Sequence, residues 1–223
     1  MAVHGVVFDA YGTLLDVHSA MQRHAERIGP NWADISAAWR SKQLEYTWIR
    51  SLTGAAHHRD FSVLTDAALD FVARKFGITD QALLADLRQA YRALSAYPEV
   101  PGVLRALRAR GIPTAILSNG EPNMLRQGVQ AAGLELLLDE VLSVESAGIF
   151  KPDPRVYALA VNRLGGDASK LVFVSSNAWD AFAAGANGFR VAWCNRTGQP
   201  DEYGLRASAT EIGTLDELAA SIT

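Results

Sequence analysis

The sequence predicts an α/β fold, a doubly wound parallel sheet with helices on both faces and a helical domain inserted after the first strand. Three observations predict it. The β-branched and aromatic run Val3, Val6, Val7, Phe8 reads as a buried strand that stops at Asp9, with Gly12 permitting a sharp turn just beyond. From about residue 18 to residue 94 no strand pattern appears. From Pro98 onward strands and helices alternate, the pattern of a parallel sheet with crossover helices. The expected division is a core of residues 1–16 and 96–223 and a helical segment of residues 17–95.

Taken in order, Ile35, Trp39, Tyr46 and Ile49 lie roughly on one face of a long helix, and Leu44, Trp48 and Leu52 on another. Two apolar faces call for packing on both sides or for a contact between copies of the chain. Trp39 and Trp48 are expected in the core. Phe61, Leu64, Ala68, Phe71 and Val72 mark another helix, and Leu83, Leu84, Leu87, Ala90 and Tyr91 a further one, giving three or four in the insert. His57 and His58 fall in a loop between them, expected to be solvated. Beyond Pro98, Val103, Leu104 and Leu107 form a helix ending at Gly111, a C-terminal glycine cap. Strands are expected at 114–117, 141–144, 171–174 and 190–194, and helices at about 121–132 and 179–187. Asp153 caps and Pro154 opens a helix carrying Val156, Leu159 and Ala160. Thr214 and Glu217 fit a capping box for the last helix.

Composition excludes several classes. Of 223 residues, 49% are hydrophobic and 20% charged, an ordinary globular balance, and the net charge of −3 gives no general attraction to nucleic acid or anionic membrane. No apolar run approaches the roughly 18 residues of a membrane span, and the amino terminus enters a strand with no secretory signal pattern. Cys194 is the single cysteine, expected as a buried strand residue, so no intrachain disulfide can form. A cytoplasmic protein is expected.

Polar clusters follow three of the predicted strands: Asp9 with Thr13; Ser118 with Asn119; and Ser175, Ser176, Asn177 and Asp180. Lys151 lies in a fourth loop after a strand. Strand exits of one parallel sheet lie along a common edge, where ligands bind, so the four loops can converge. Read singly they are weak: Asp9 could be a base, a metal ligand, a nucleophile or a loop cap; Ser118-Asn119-Gly120 is ordinary turn chemistry; Lys151-Pro152 could be an exposed approach to a helix. The combination in this order is specific.

That combination resembles the haloacid dehalogenase superfamily, and within it most closely the L-2-haloacid dehalogenases. The first superfamily motif is matched by Phe8-Asp9-Ala10-Tyr11-Gly12-Thr13-Leu14-Leu15, the second by Ser118-Asn119-Gly120, the third by Lys151-Pro152 and the fourth by Ser175-Ser176-Asn177-Ala178-Trp179-Asp180. The likeness extends into the helical segment through Trp39-Arg40 and Lys42 to Trp48. It implies a Rossmann-like core carrying a helical cap. Two departures set the chain apart from the superfamily's phosphatases: Tyr11 stands where they carry an acid for the leaving alkoxide, and Ser176 where they usually carry a magnesium-binding aspartate. Magnesium prefers several oxygen ligands including carboxylates, whereas a halide leaves without a proton.

The resemblance implies hydrolysis of L-2-haloacids to D-2-hydroxyacids with no cofactor and no metal. Asp9 would attack the α-carbon and form an ester that water cleaves; an aspartate is ionised at neutral pH without help. Lys151 would hold Asp9; Ser175, Asn177 and Asp180 would position water and Lys151; Thr13 would support the Asp9 loop. Ser118 and the Asn119 N–H, opening a helix, would receive the substrate carboxylate. Arg40, Asn119 and Trp179 would receive the halide, and Tyr11 and Tyr157 would complete the substrate pocket. The five histidines lie outside the converging loops, so a serine–histidine hydrolase has no base. A magnesium-dependent phosphatase of the same fold and a non-catalytic scaffold are the alternatives. A homodimer through the cap helices is expected by family likeness, with no nucleic-acid or membrane partner.

Overall fold

The computed structural model describes residues 3–222. Its strands are β1 (Gly5–Phe8), β2 (Thr114–Ser118), β3 (Glu140–Ser143), β4 (Leu171–Ser175), β5 (Arg190–Cys194) and β6 (Thr210–Ile212). They form one sheet in the order β3-β2-β1-β4-β5-β6, every pair parallel. β1, β2 and β4 are buried along their whole length, as central strands of a sheet covered on both faces must be. The chain winds from β1 to β2 and β3 on one side, then returns to β4, β5 and β6 on the other. The switch point therefore falls at β1 and β4, where a crevice opens beyond the strand ends.

The predicted fold class is observed. The third strand begins one residue earlier than the sequence pattern predicts, and β6 lies outside that pattern. β6 has only three residues, two of them exposed, so it carries no apolar run to read. Cys194 ends β5 and is fully buried. The Thr214–Glu217 capping box forms, but on a 3-10 turn, Leu215–Glu217, that leads into the final helical turn.

Between β1 and β2 the chain is helical: α1 (Ser19–Gln22), α2 (Ala25–Ile28), α3 (Trp32–Leu52), α4 (Phe61–Phe76) and α5 (Gln81–Tyr91), then α6 (Val100–Ala109). Three long helices, two single α-helical turns and a 3-10 turn (Ala55–His57) stand in residues 19–91. Entry and exit lie side by side: Leu15 pairs antiparallel with Ala96, Asp16 N–H donates to Ser95 at 2.8 Å, and Tyr97 N–H to Leu14 at 3.1 Å. Residues 1, 2 and 223 of the expected core lie outside the described residues.

Helix α3 departs from its apolar pattern. Its buried face is Ile35, Ser36, Trp39, Gln43, Leu44 and Thr47, half of it polar. Ile49 and Leu52, expected to pack, are 53% and 82% exposed. Phe71 of α4 is 37% exposed, while Phe61, Leu64, Ala68, Leu69 and Val72 pack inward. Trp39 is core, its indole donating to the Thr65 carbonyl at 2.9 Å. Trp48 is not: it is half-buried, its ring set edge-on against Trp179 of the core at 5.6 Å. His58 is likewise no solvated loop residue. Its Nε2 lies 3.0 Å from Glu145 and its ring 4.8 Å from Phe150, fastening the helical segment to the loop that carries Lys151.

Candidate active site

Asp9 emerges from β1 at the switch point, its backbone N–H still held by Val174 of β4 at 2.9 Å. The chain then turns back at once: the N–H groups of Thr13, Leu14 and Leu15 all aim at the Ala10 carbonyl. Gly12 makes this possible with φ of 94°, a region that side chains resist. Ser175 ends β4, and α9 (Ala178–Ala186) begins with Asn177 as its N-terminal cap residue, so Asn177 and Asp180 stand at the same strand edge. Lys151 arrives from the loop after β3, its N–H fixed by the Asn119 side chain at 3.0 Å.

The groups meet in one network. Asp9 Oδ1 accepts from Lys151 Nζ at 3.2 Å. Asp9 Oδ2 accepts from Asn177 Nδ2 at 2.7 Å and Thr13 Oγ1 at 3.2 Å. Only donors face the carboxylate, and an anion satisfies them all. Thr13 in turn accepts the Ser176 N–H at 2.9 Å, tying the two loops together. Lys151 Nζ also donates to Asp180 Oδ2 at 2.8 Å and lies 4.9 Å over the ring of Phe173. Asp180 Oδ1 receives Tyr157 Oη at 2.6 Å, while Ser175 Oγ approaches Oδ2 at 3.4 Å. Tyr157, on α8 (Pro154–Leu164), is fully buried.

Lys151 is 1% exposed, and buried charge must be matched. One ammonium serves two carboxylates; Arg40, from α3, brings the second positive charge. Its Nη2 donates to the Tyr11 carbonyl at 3.1 Å and reaches Asn177 Oδ1 at 3.4 Å, crossing from the helical segment to the core. Replacing Lys151 by Met takes the shared ammonium from both Asp9 and Asp180, and breaking a buried ion pair costs about 3–5 kcal/mol. Thermal and denaturant unfolding should both show that loss; unchanged stability would mean that the carboxylates do not depend on Lys151.

Burial pushes the Asp180 carboxyl up to about 6; Lys151 opposes the shift and Asp9 adds to it. Burial likewise raises the Tyr157 phenol well above its ordinary value, helped by the Asp180 charge, so Tyr157 remains a proton donor to Asp180. The folded value of Asp180 lies above that of an exposed aspartate, so its contribution to stability falls as pH rises from about 4 through about 6. The ionised Asp180–Lys151 pair forms only above that window. Turnover should therefore lose activity as pH falls below about 6, with a limb that Asp180→Asn removes. A wild-type profile flat down to pH 4 would contradict this.

The second motif sits differently from expectation. Ser118 ends β2 and accepts the Gly120 N–H at 3.1 Å. The helix after it, α7 (Pro122–Ala131), starts later, and the Glu121 carboxylate already receives the N–H groups of Asn123 and Met124 at 2.8 and 2.6 Å. The helix N-terminus is thus capped by an anion of the chain itself, and the helix-end argument for binding a substrate carboxylate fails. Ser118 and Asn119 remain at the strand edge as a turn. Gly120 is required there: a Cβ would fall 2.8 Å from Leu125 and 2.9 Å from the Tyr11 ring.

Above the carboxylate the walls are aromatic. Tyr11 packs on Phe61 and Tyr91 at 5.2 and 5.9 Å, and Phe61 on Phe150 at 6.4 Å. Trp179 presents a buried indole N–H with no hydrogen-bond partner among the described residues. A cleft of about 700 Å³ opens between α3 and α9, lined by Trp48, Leu52, Ile149, Trp179, Phe182 and Tyr203 among others. Asp9, Ser118, Asn177 and Lys151 do not line it. Three participants lie outside the sequence-based expectation. Gln43 and Tyr91 sit beside Arg40, and His58, itself outside the converging loops as expected, contacts Glu145 and Phe150 next to Lys151.

The fold and this constellation are those of a nucleophilic hydrolase with a carboxylate at the switch point. A family model of haloacid dehalogenase-like hydrolases matches residues 3–188. The chain is 46% identical over 217 residues to (S)-2-haloacid dehalogenase 1 of Pseudomonas sp. (strain CBS-3), covering 97% of this chain and 95% of that one. To the (S)-2-haloacid dehalogenase of Pseudomonas sp. (strain YL) it is 47% identical over 214 residues, covering 96% and 91%. Among solved structures, the L-2-haloacid dehalogenase of Xanthobacter autotrophicus with chloropropionic acid covalently bound superposes with a TM-score of 0.88 at 34% identity, covering 98% and 97% of the chains. The protein belongs to the haloacid dehalogenase-like hydrolases and closely resembles the L-2-haloacid dehalogenases among them.

Proposed function

We propose that the protein hydrolyses short L-2-haloalkanoic acids to D-2-hydroxyacids through an ester on Asp9. The observation that carries this reading is the Asp9 carboxylate itself, aimed by Lys151, Asn177 and Thr13 at the strand edge where Arg40 enters from the helical segment. An Asp9 oxygen bonds to the α-carbon as the carbon–halogen bond breaks, and the halide leaves with the electron pair. Attack from the side opposite the halogen inverts the carbon. Water then adds to the ester carbonyl of Asp9; its proton passes through the Asp180–Lys151–Ser175 cluster to the departing hydroxyacid oxygen, and Asp9 is regenerated. Tyr157 keeps Asp180 in place. Ser118 and Asn119 receive the substrate carboxylate, and Arg40, Asn119 and Trp179 the halide. Tyr11 supplies an aromatic wall where a phosphatase would need a proton donor.

Residues 17–95 act as a cap domain over a core of 1–16 and 96–223. The exposed Ile49 and Leu52 on α3 support a homodimer through the cap helices. Among the described residues no helix is long and apolar enough to cross a membrane; we place the protein in the cytoplasm, without nucleic-acid partners. Lys151 already supplies the cation that Asp9 and Asp180 share. Halide release from L-2-chloropropionate should accordingly persist in excess EDTA, and the D-enantiomer should react poorly. Loss of activity on chelation restored by Mg²⁺, together with phosphate release from an aryl phosphate, would favour the phosphatase alternative instead.

A further inference from the structure

We infer that Gln43 is a positioning residue for the leaving halide, acting through Arg40; this rests on the proposed role of Arg40 above. Gln43 is 0% exposed, in the middle of the buried face of α3. Its amide oxygen accepts from Arg40 Nη1 at 2.8 Å and from Tyr91 Oη at 3.0 Å. Its amide nitrogen donates to Thr65 Oγ1 at 2.6 Å, and Thr65 Oγ1 donates to the Phe61 carbonyl at 2.7 Å. The direction of every bond is forced. Arg40 has donors only, so the amide oxygen must face it, and Thr65, spending its proton on α4, must accept. A buried amide with its groups so matched is held in one orientation, and rotation would set donor against donor.

The choice of an amide also has an electrostatic consequence. A glutamate of the same shape would orient Arg40 equally well, but would neutralise it. The neutral amide fixes the guanidinium and leaves its charge free for an anion, and stabilisation of a departing halide depends on that charge being in place before the bond breaks. In the proposed reading the substrate carboxylate is received at the Ser118–Asn119 turn, and neither residue bonds to this rung. Gln43 should therefore govern departure of the halide more than capture of the acid.

The test compares Gln43→Glu and Gln43→Met, each alone and combined with Arg40→Ala, using L-2-chloropropionate and chloride as product inhibitor. Groups that orient a metal ligand from behind it typically cost about 10–100-fold when removed, and a group that orients a halide-binding guanidinium stands in the same relation to the chemistry. Either variant should lower kcat about 10–100-fold, leave KM within about threefold, and weaken chloride inhibition. In the Arg40→Ala background the same substitutions should add little, since both act through one guanidinium. Wild-type kcat and chloride inhibition in whichever variant folds would overturn the inference, as would a full additional loss in the Arg40→Ala background. Failure of both variants to fold would also overturn it, marking Gln43 as a packing residue. Full activity of Arg40→Ala alone would instead remove the underlying assignment of Arg40.

Discussion

Asp9→Asn leaves a folded protein with only a trace of turnover. Removing the nucleophile of a covalent hydrolase costs on the order of 10⁴–10⁶ in rate, and a neutral amide cannot displace a halide at saturated carbon. The substitution also disturbs the ground state. Asp9 faces Lys151 Nζ on one oxygen and Asn177 Nδ2 with Thr13 Oγ1 on the other. An amide NH₂ turned either way meets a donor, and an unsatisfied buried group costs about 1–3 kcal/mol. Halide release followed over hours should show near-zero initial rate, with slow recovery as the introduced amide deamidates back to a carboxylate. Retention of even a tenth of wild-type turnover would remove Asp9 from the role of nucleophile.

Arg40→Ala lowers turnover by about 10²–10³, the usual loss when one preorganised donor to a developing anion is removed. Arg40 stretches from α3 to the Tyr11 carbonyl and Asn177, so it also links the helical segment to the loops of the site. Its removal strips the site of one of its two positive charges while both carboxylates stay. Arg40→Lys should rescue in part only, because a flexible ammonium cannot hold Gln43 and Tyr11 at once as the planar fork does. Steady-state kinetics on L-2-chloropropionate decide this, and wild-type kcat in Arg40→Ala would contradict it.

Strand runs such as Val6-Val7-Phe8 and Leu171 to Val174 are continuous and apolar because their strands are buried on both faces, and they are legible in the sequence for that reason. Their order, with polar residues at each exit, carries the placement of Asp9, Lys151, Asn177 and Asp180 at one edge. Helix α3 misleads because periodicity counts apolar residues, whereas its buried face holds Ser36, Gln43 and Thr47. Each is satisfied locally, Ser36 by His18, Gln43 by the Arg40–Tyr91–Thr65 rung and Thr47 by the Leu44 carbonyl, and such pairing leaves no trace in hydropathy. The helix-end reading of Ser118 fails on Glu121, whose carboxylate claims the first-turn N–H groups. Arg40 can be matched to the site only through the family resemblance, since nothing in the spacing of 31 residues from Asp9 predicts that α3 folds back over β1.

The covalent role of Asp9 is tested most directly by one turnover in ¹⁸O-water with enzyme in excess over L-2-chloropropionate. If Asp9 attacks carbon, the product hydroxyl oxygen comes from its carboxylate, and the water oxygen stays on the protein. Mass spectrometry should find unlabelled 2-hydroxyacid and one heavy oxygen in the peptide that contains Asp9. Heavy oxygen in the first-turnover product, with an unlabelled Asp9 peptide, would mean that water attacks carbon directly and would contradict the ester mechanism.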